Sequence, residues 1–278
     1  MPESVTANNL EGVGFFGKLP SHGDFLIRRL PRHFTDPWDR WLQSVIANSK
    51  EQLADNWLDV YLTSPLWRFV TSPGVCGPGV WGGVLMPSVD RVGRYFPLTL
   101  AAQLPEDCNP VGMLGTADLW FQALEELALS TLDDGFSLEG FEQELLALSL
   151  PELSRAAADL PQQRGGRPAW HFGLQADGNT EHTLQGVSQV LLKKLLPAHS
   201  LWWSQGSERV EPSLLISEGL PPIECFAGLL DGDWGRWGWG DYRLPLVAKP
   251  AASGEERESQ PEPVASSDGY QPQVTESD

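Results

Sequence analysis

LWRFVTSPGVCGPGVWGGVLMPSVDRVGRYFPLTLAAQ, residues 66–103, contains three runs of aromatic and β-branched residues, at 66–71, 80–85 and 96–103, separated by Gly- and Pro-bearing stretches. Runs of this kind, bounded by turn formers, read as β-strands. The gaps between them leave no room for a crossover helix, so this part of the sheet is antiparallel.

Outward from this stretch, similar short segments at 13–16, 169–174, 201–204 and 213–217 predict further strands. Helical spacing is clearest over 36–58, where Trp38, Trp41, Leu42, Val45, Ile46, Leu53, Trp57 and Leu58 recur on one stripe and Asp36 before Pro37 offers a start. More helices are expected at 116–132, at 137–148, at 182–196 before Pro197, and as a short segment at 222–230 before Gly232. Strands and helices are interspersed, and at least part of the sheet is antiparallel. The expected class is therefore α+β, an α/β/α-type sandwich with a largely antiparallel central sheet and flanking helices, rather than a doubly wound parallel fold.

The chain of 278 residues carries 37 acidic and 19 basic side chains, a formal charge of −18. Nucleic acid and anionic membrane surfaces are disfavoured as partners, because a polyanion is repelled at any distance that salt does not screen. Hydrophobic residues make up 41% of the chain, enough to bury a core. Residues 1–9 lack a basic segment leading into an apolar run, and no window is long and apolar enough to span a bilayer. A cytoplasmic protein is the expectation. Cys76, Cys108 and Cys225 are odd in number and widely spaced, which predicts reduced, buried thiols rather than a disulfide framework or a thiolate zinc site.

Residues 249–278 string together Pro, Ser, Glu and Gln with few large apolar side chains, a composition that cannot offset its ordering entropy. The expected organisation is a flexible start at 1–9, a globular part at 10–248 and a disordered acidic tail at 249–278. Within the globular part, an N-terminal core spans about 10–150 and a C-terminal part about 165–247.

Several motifs match on letters and fail on context. Gly12-Val13-Gly14-Phe15-Phe16-Gly17 satisfies G-x-G-x-x-G, and Lys18 extends it toward a phosphate loop. Those glycines lie within a strand-like segment, however, and Leu19-Pro20 follows instead of a helix with a Ser or Thr for magnesium. They read as strand glycines. Ser21, His22 and Asp24 are the residue types of a hydrolytic triad, but neighbours this close rarely reach nucleophile, base and orienter geometry, and a turn is the simpler reading. Asp231-Gly232-Asp233 matches the start of a calcium loop whose later ligand positions are absent. The five histidines, at 22, 33, 171, 182 and 199, have no metal-ligand spacing. The adjacent acids Glu125-Glu126 and Asp133-Asp134 are expected on solvated faces. No catalytic residue, cofactor or metal is predicted. Trp234, Trp237 and Trp239, among glycines, read either as a packed plug or as an anchor for another protein.

Taken together, GFFGKLPSHGDF at 14–25, WDRWL at 38–42, PSVDRVGRYFPLT at 87–99, SLWW at 200–203 and PSLL at 212–215 resemble the TagF family, also called ImpM, of bacterial type VI secretion accessory proteins, over about 13–230. The resemblance implies a non-enzymatic, post-translational repressor of secretion-system assembly or activation, acting through a partner that bears a forkhead-associated domain. The polar or amphipathic residues of the two longest matched stretches, Lys18, His22, Asp24, Arg91, Arg94 and Tyr95, are the candidate partner-binding set. The arginines and Asp90 have a fold-stabilising charge network as their alternative role. Two other function classes stand beside this one: a hydrolase using His22 and Asp24 with a serine from elsewhere, and a small-ligand sensor with an aromatic pocket.

Overall fold

The computed structural model describes residues 12–156, 171–172 and 180–243. In chain order they form β1 (Gly14–Gly17), β2 (Leu26–Arg28), α1 (Arg32–Leu53), α2 (Trp57–Leu62), β3 (Trp67–Thr71), β4 (Val80–Met86), β5 (Leu98–Leu104), α3 (Met113–Thr116), α4 (Asp118–Ser130), α5 (Leu138–Ala147), α6 (Thr180–Leu195), β6 (His199–Ser204), β7 (Ser213–Glu218) and α7 (Ala227–Asp231). The seven strands make one sheet in the order β2-β1-β5-β4-β3-β6-β7, and every neighbouring pair is antiparallel. The α+β sandwich expected from residues 66–103 is the fold observed.

Both faces of the sheet are covered, which explains why its central strands read as nearly continuous apolar runs. Successive side chains alternate between the layers. Phe16, Trp81 and Trp202 join α1, α2 and α7 on one face, while Phe15, Val84 and Leu201 join α4 and α5 on the other. β6 pairs directly with β3, so the N- and C-terminal parts share one sheet. The described residues up to Asp241 belong to one compact unit. Residues 1–9 and the tail at 249–278 lie outside the described residues, as does most of the strand expected at 169–174; His171 and Phe172, which are described, are not in a strand.

The helix expected at 36–58 differs at both ends. It begins at Arg32, where the Pro31 carbonyl accepts the Phe34 and Thr35 amides at 3.0 Å each, and Pro37 sits inside it. Burial draws in the earlier turn: Phe34 is fully buried and its ring lies 4.4 Å from that of Trp81. At the far end Ala54 adopts φ 47°, and a 3-10 turn, Ala54–Asn56, separates α1 from α2. Asp55 and Asn56 are weak helix formers, and the break swings Trp57 back onto α1, where its indole donates to Ser49 Oγ at 3.0 Å. β2 was not foreseen. Its residues have little strand signal of their own and owe their conformation to pairing with β1.

Glu125 corrects the expectation of a solvated face. It turns inward from α4 and grips Arg68 of β3 in a bidentate pair at 2.7 and 2.8 Å, while Arg68 Nη1 donates to Asp118 at 2.5 Å. Glu126, Asp133 and Asp134 are exposed, as expected. Cys76, Cys108 and Cys225 are buried and unpaired, and burial pushes the Cys76 and Cys108 thiols up to about 12.

The tryptophans near the end of the described chain pack inward. Trp234 and Trp239 meet edge to face with centroids 6.0 Å apart, and the Trp239 indole donates to the Cys225 carbonyl at 2.8 Å. A Cβ at Gly228 would lie 3.1 Å from both of these rings, so α7 carries glycine where they close over it. Trp237 donates to the Asp231 carboxylate at 2.8 Å, and Arg236 stacks on its ring at 4.4 Å. The cluster is a plug on the α1 side of the sheet.

Candidate functional site

Two loops far apart in sequence meet at the end of β1. The first leaves β1 through Gly17, whose φ of +135° and position 2.1 Å from the Pro97 carbonyl, measured from where a Cβ would sit, admit glycine alone. At Gly14 a Cβ would lie 2.5 Å from the Arg28 carbonyl. Both glycines are thus accounted for by close packing of β1 against β2 and β5, the strand reading of the G-x-G-x-x-G pattern.

The second loop, residues 87–96, is a turn organised by Asp90. Its carboxylate oxygen Oδ1 accepts the Val92 and Arg94 amides at 3.0 and 2.9 Å, and the Asp90 carbonyl accepts the Gly93 amide at 2.9 Å. Gly93 supplies the φ of +84° that this turn requires. From below, the Tyr61 hydroxyl donates to the Ser88 carbonyl at 3.0 Å and accepts the Ser88 amide at 2.9 Å. Burial pushes the Tyr61 phenol well above its ordinary range, so it stays protonated and keeps both bonds.

Cross-bonds then lock the loops together. The Arg91 amide donates to the His22 carbonyl at 3.0 Å, the Ser88 hydroxyl to the Lys18 carbonyl at 2.8 Å, and the Arg94 guanidinium to the Gly23 carbonyl. At the centre Asp90 Oδ2 accepts both the Lys18 ammonium and, at 2.7 Å, Arg94 Nε. The Asp90 side chain is 0% exposed and that of Lys18 only 11%. Burial by itself would raise the Asp90 carboxyl, but the Lys18 ammonium, the Arg94 amide and guanidinium and the Val92 amide outweigh it and hold the group well below the usual carboxylate range.

A pH consequence follows from the direction of that shift. A carboxyl depressed in the folded state contributes stability above its unfolded value, about 3.9, and loses it as the pH falls through the lower folded value. Asp90→Asn is therefore expected to lower the urea midpoint by a constant amount from neutral pH down to about pH 5, with the difference from the parent chain shrinking in stronger acid. Paired urea titrations across that range check it. A difference that grew toward low pH would contradict the assignment.

All six candidate residues thus fall in one locality, with unequal duties. Lys18 points inward to Asp90, and Tyr95 packs edge to face on Trp57 and Tyr61 with centroids 5.7 and 6.1 Å away. Arg94 is divided: its side chain is 61% exposed while Nε remains tied to Asp90. Asp24 and Arg91 are exposed, and His22 is half-buried with Nδ1 2.8 Å from Ser21 Oγ. No hydrogen bond links Asp24 to His22 among the described residues. Two apolar members escaped the candidate list. Phe25 is braced by Phe16 and Phe96 with centroids 4.7 and 5.1 Å away, yet remains 38% exposed, and Val92 at the turn's tip is 66% exposed. Their signal was present in sequence, since an apolar residue inside a turn of Asp, Gly and Arg has no local reason to be there. The outer surface joins guanidinium groups, a carboxylate and two apolar side chains on a rigid base, a composition suited to recognising another protein. No metal-capable cluster of His, Cys, Asp or Glu occurs among the described residues, and none of their helices is long and apolar enough to cross a membrane.

The molecule is thus an antiparallel α/β/α sandwich with two cross-tied loops at one end of its sheet. The profile of the TagF N-terminal domain, type VI secretion system-associated, matches residues 14–148, which include both loops. The crystal structure of PA0076 from Pseudomonas aeruginosa PAO1 superposes with a TM-score of 0.70 at 39% identity, covering 85% of this chain and 99% of that one. No curated protein matches in sequence. The chain belongs to the TagF family of type VI secretion system-associated proteins.

Proposed function

We propose that this chain is a non-enzymatic, cytoplasmic repressor of type VI secretion, acting after translation by binding a protein with a forkhead-associated domain and so restraining assembly or activation of the apparatus. The observation that carries this reading is the joining of residues 18–25 and 87–96 into one braced surface with Asp24, Phe25, Arg91 and Val92 outermost. A catalytic site needs groups converging on a reacting atom, whereas here the buried charges neutralise one another and the outer ones face solvent. Family membership supports a role at the secretion apparatus.

Arg91 is the residue to reverse, because its backbone alone ties the loops and its side chain is exposed. Arg91→Glu is expected to weaken capture of the forkhead-associated protein about tenfold or more while leaving the melting temperature unchanged, since placing like charges together across an interface is costly. Arg94→Glu makes a poor probe, as it would oppose Asp90 within the fold. Undiminished capture by Arg91→Glu would place the partner elsewhere. No capture even by the parent chain would remove this partner.

A further inference from the structure

The two edges of the sheet are defended unequally. β2 is three residues long and carries Arg28, which is paired with Glu142 at 2.9 Å. A short, charged strand is a common guard against edge pairing. β7 is six residues long, and its centre, Leu214-Leu215-Ile216, bears no charge. Leu214 and Ile216 are 52% and 47% exposed, side by side on the face that holds Leu201 and Trp203 of β6.

Register shows which backbone groups of β7 face outward. The Gly219 amide donates to the Ala198 carbonyl at 2.8 Å, and the Ser72 amide to the His199 carbonyl at 2.8 Å, so even-numbered residues of β6 bond to β7 and odd-numbered ones to β3. Alternation in an antiparallel ladder then directs the amides and carbonyls of Ser213, Leu215 and Ser217 toward β6, and those of Leu214, Ile216 and Glu218 outward. Among the described residues β7 pairs with β6 alone.

We propose that β7 is a dimerisation edge: a second copy of this chain adds its own β7, antiparallel, about a two-fold axis at Leu215. In that register Leu214 faces the partner's Ile216, with their outward amides and carbonyls bonded in both directions. Ile216 does the same with the partner's Leu214. Glu218 falls opposite the partner's Pro212, whose carbonyl accepts its amide and whose missing N–H lies at the end of the ladder. Glu211 falls opposite Gly219, so no glutamate of the strand ends directly opposes its like. The four apolar side chains meet on one face. Because the guarded β2 edge does not match β7, the contact is isologous and closes at two copies. It is smaller than a standard interface, and the charge of −18 on each copy opposes it, so the dimer is weak and tightens with salt.

Sedimentation velocity of the full chain from about 5 to about 200 μM, in about 0.05 and about 0.5 M salt, tests this. The expected result is a concentration-dependent dimer that is strengthened by salt and abolished by Leu214→Lys with Ile216→Lys. Because both side chains are exposed, the melting temperature should hold. Ile27→Lys on the opposite edge should leave the dimer intact. Amide exchange resolved by residue should slow with concentration at Leu214, Ile216 and Glu218 and not at Leu215. A chain that stays monomeric throughout, a dimer that survives the double substitution, or protection of these amides only when a different protein is added would overturn the proposal.

Discussion

Arg68→Ala lowers the unfolding free energy by about 3 kcal/mol in the expected outcome, the lower end of the range for breaking a buried ion pair by deleting one partner. Arg68 sits on a central strand with its side chain 3% exposed. The guanidinium meets Glu125 through two parallel bonds, reaches Asp118 through a third, and lies 5.7 Å from the centroid of Phe121. Alanine would remove the neutralising charge and open a cavity between β3 and α4. Glu125 and Asp118 retain 20% and 49% side-chain exposure and recover some hydration, which keeps the loss from the upper end. Arg68→Met with Glu125→Leu should restore much of the stability, because an apolar pair of similar volume needs no desolvated charge. Urea denaturation of the three chains measures both effects. If the single substitution cost less than about 1 kcal/mol, the pair would be behaving like one at the surface.

Trp38→Ala is expected to cost about 3–5 kcal/mol and to disturb the whole α1 layer. Trp38 is fully buried, with ring centroids 4.6 Å from Phe69, 5.2 Å from Phe34 and 5.8 Å from Trp202, the last two stacked. Its indole also donates to Thr99 Oγ1 at 2.9 Å across 61 residues of chain, so alanine strands a buried hydroxyl as well as leaving a void. Trp38→Phe keeps most of the volume and loses the bond, and should cost about 1–3 kcal/mol. Chemical denaturation gives the magnitudes. Loss of near-ultraviolet dichroism at unchanged far-ultraviolet signal in the alanine variant would show that the aromatic stack sets the packing of α1 against the sheet.

The candidate surface was legible in pieces. Residues 14–25 and 87–99 stood out by resemblance, and a charge network of Asp90 with the arginines was the alternative role expected for them, which the Asp90–Arg94 pair fulfils. Nothing local told Lys18, which ends as a buried counter-charge, from Arg91, which ends in solvent. Both are long cations beside glycines or turns, and the difference is whether β1 and the loop before β5 bring a buried carboxylate within reach. Glu125 escaped for the same reason. On a helix surface it resembles Glu126, and only the facing strand puts a guanidinium opposite one of them.

By itself the sequence determined the class and most of the elements: short strand runs without room for crossovers force antiparallel neighbours, and a tryptophan-studded stripe of period 3.6 must turn toward a core. Only the tertiary structure decided where α1 breaks, that Leu26–Arg28 becomes a strand, that β6 docks on β3, and which charges are buried. The physical reason is range. Periodicity and turn chemistry act over a few residues, whereas strand order, burial and charge pairing are settled between segments tens of residues apart, whose interaction energies exist only once the sheet has assembled.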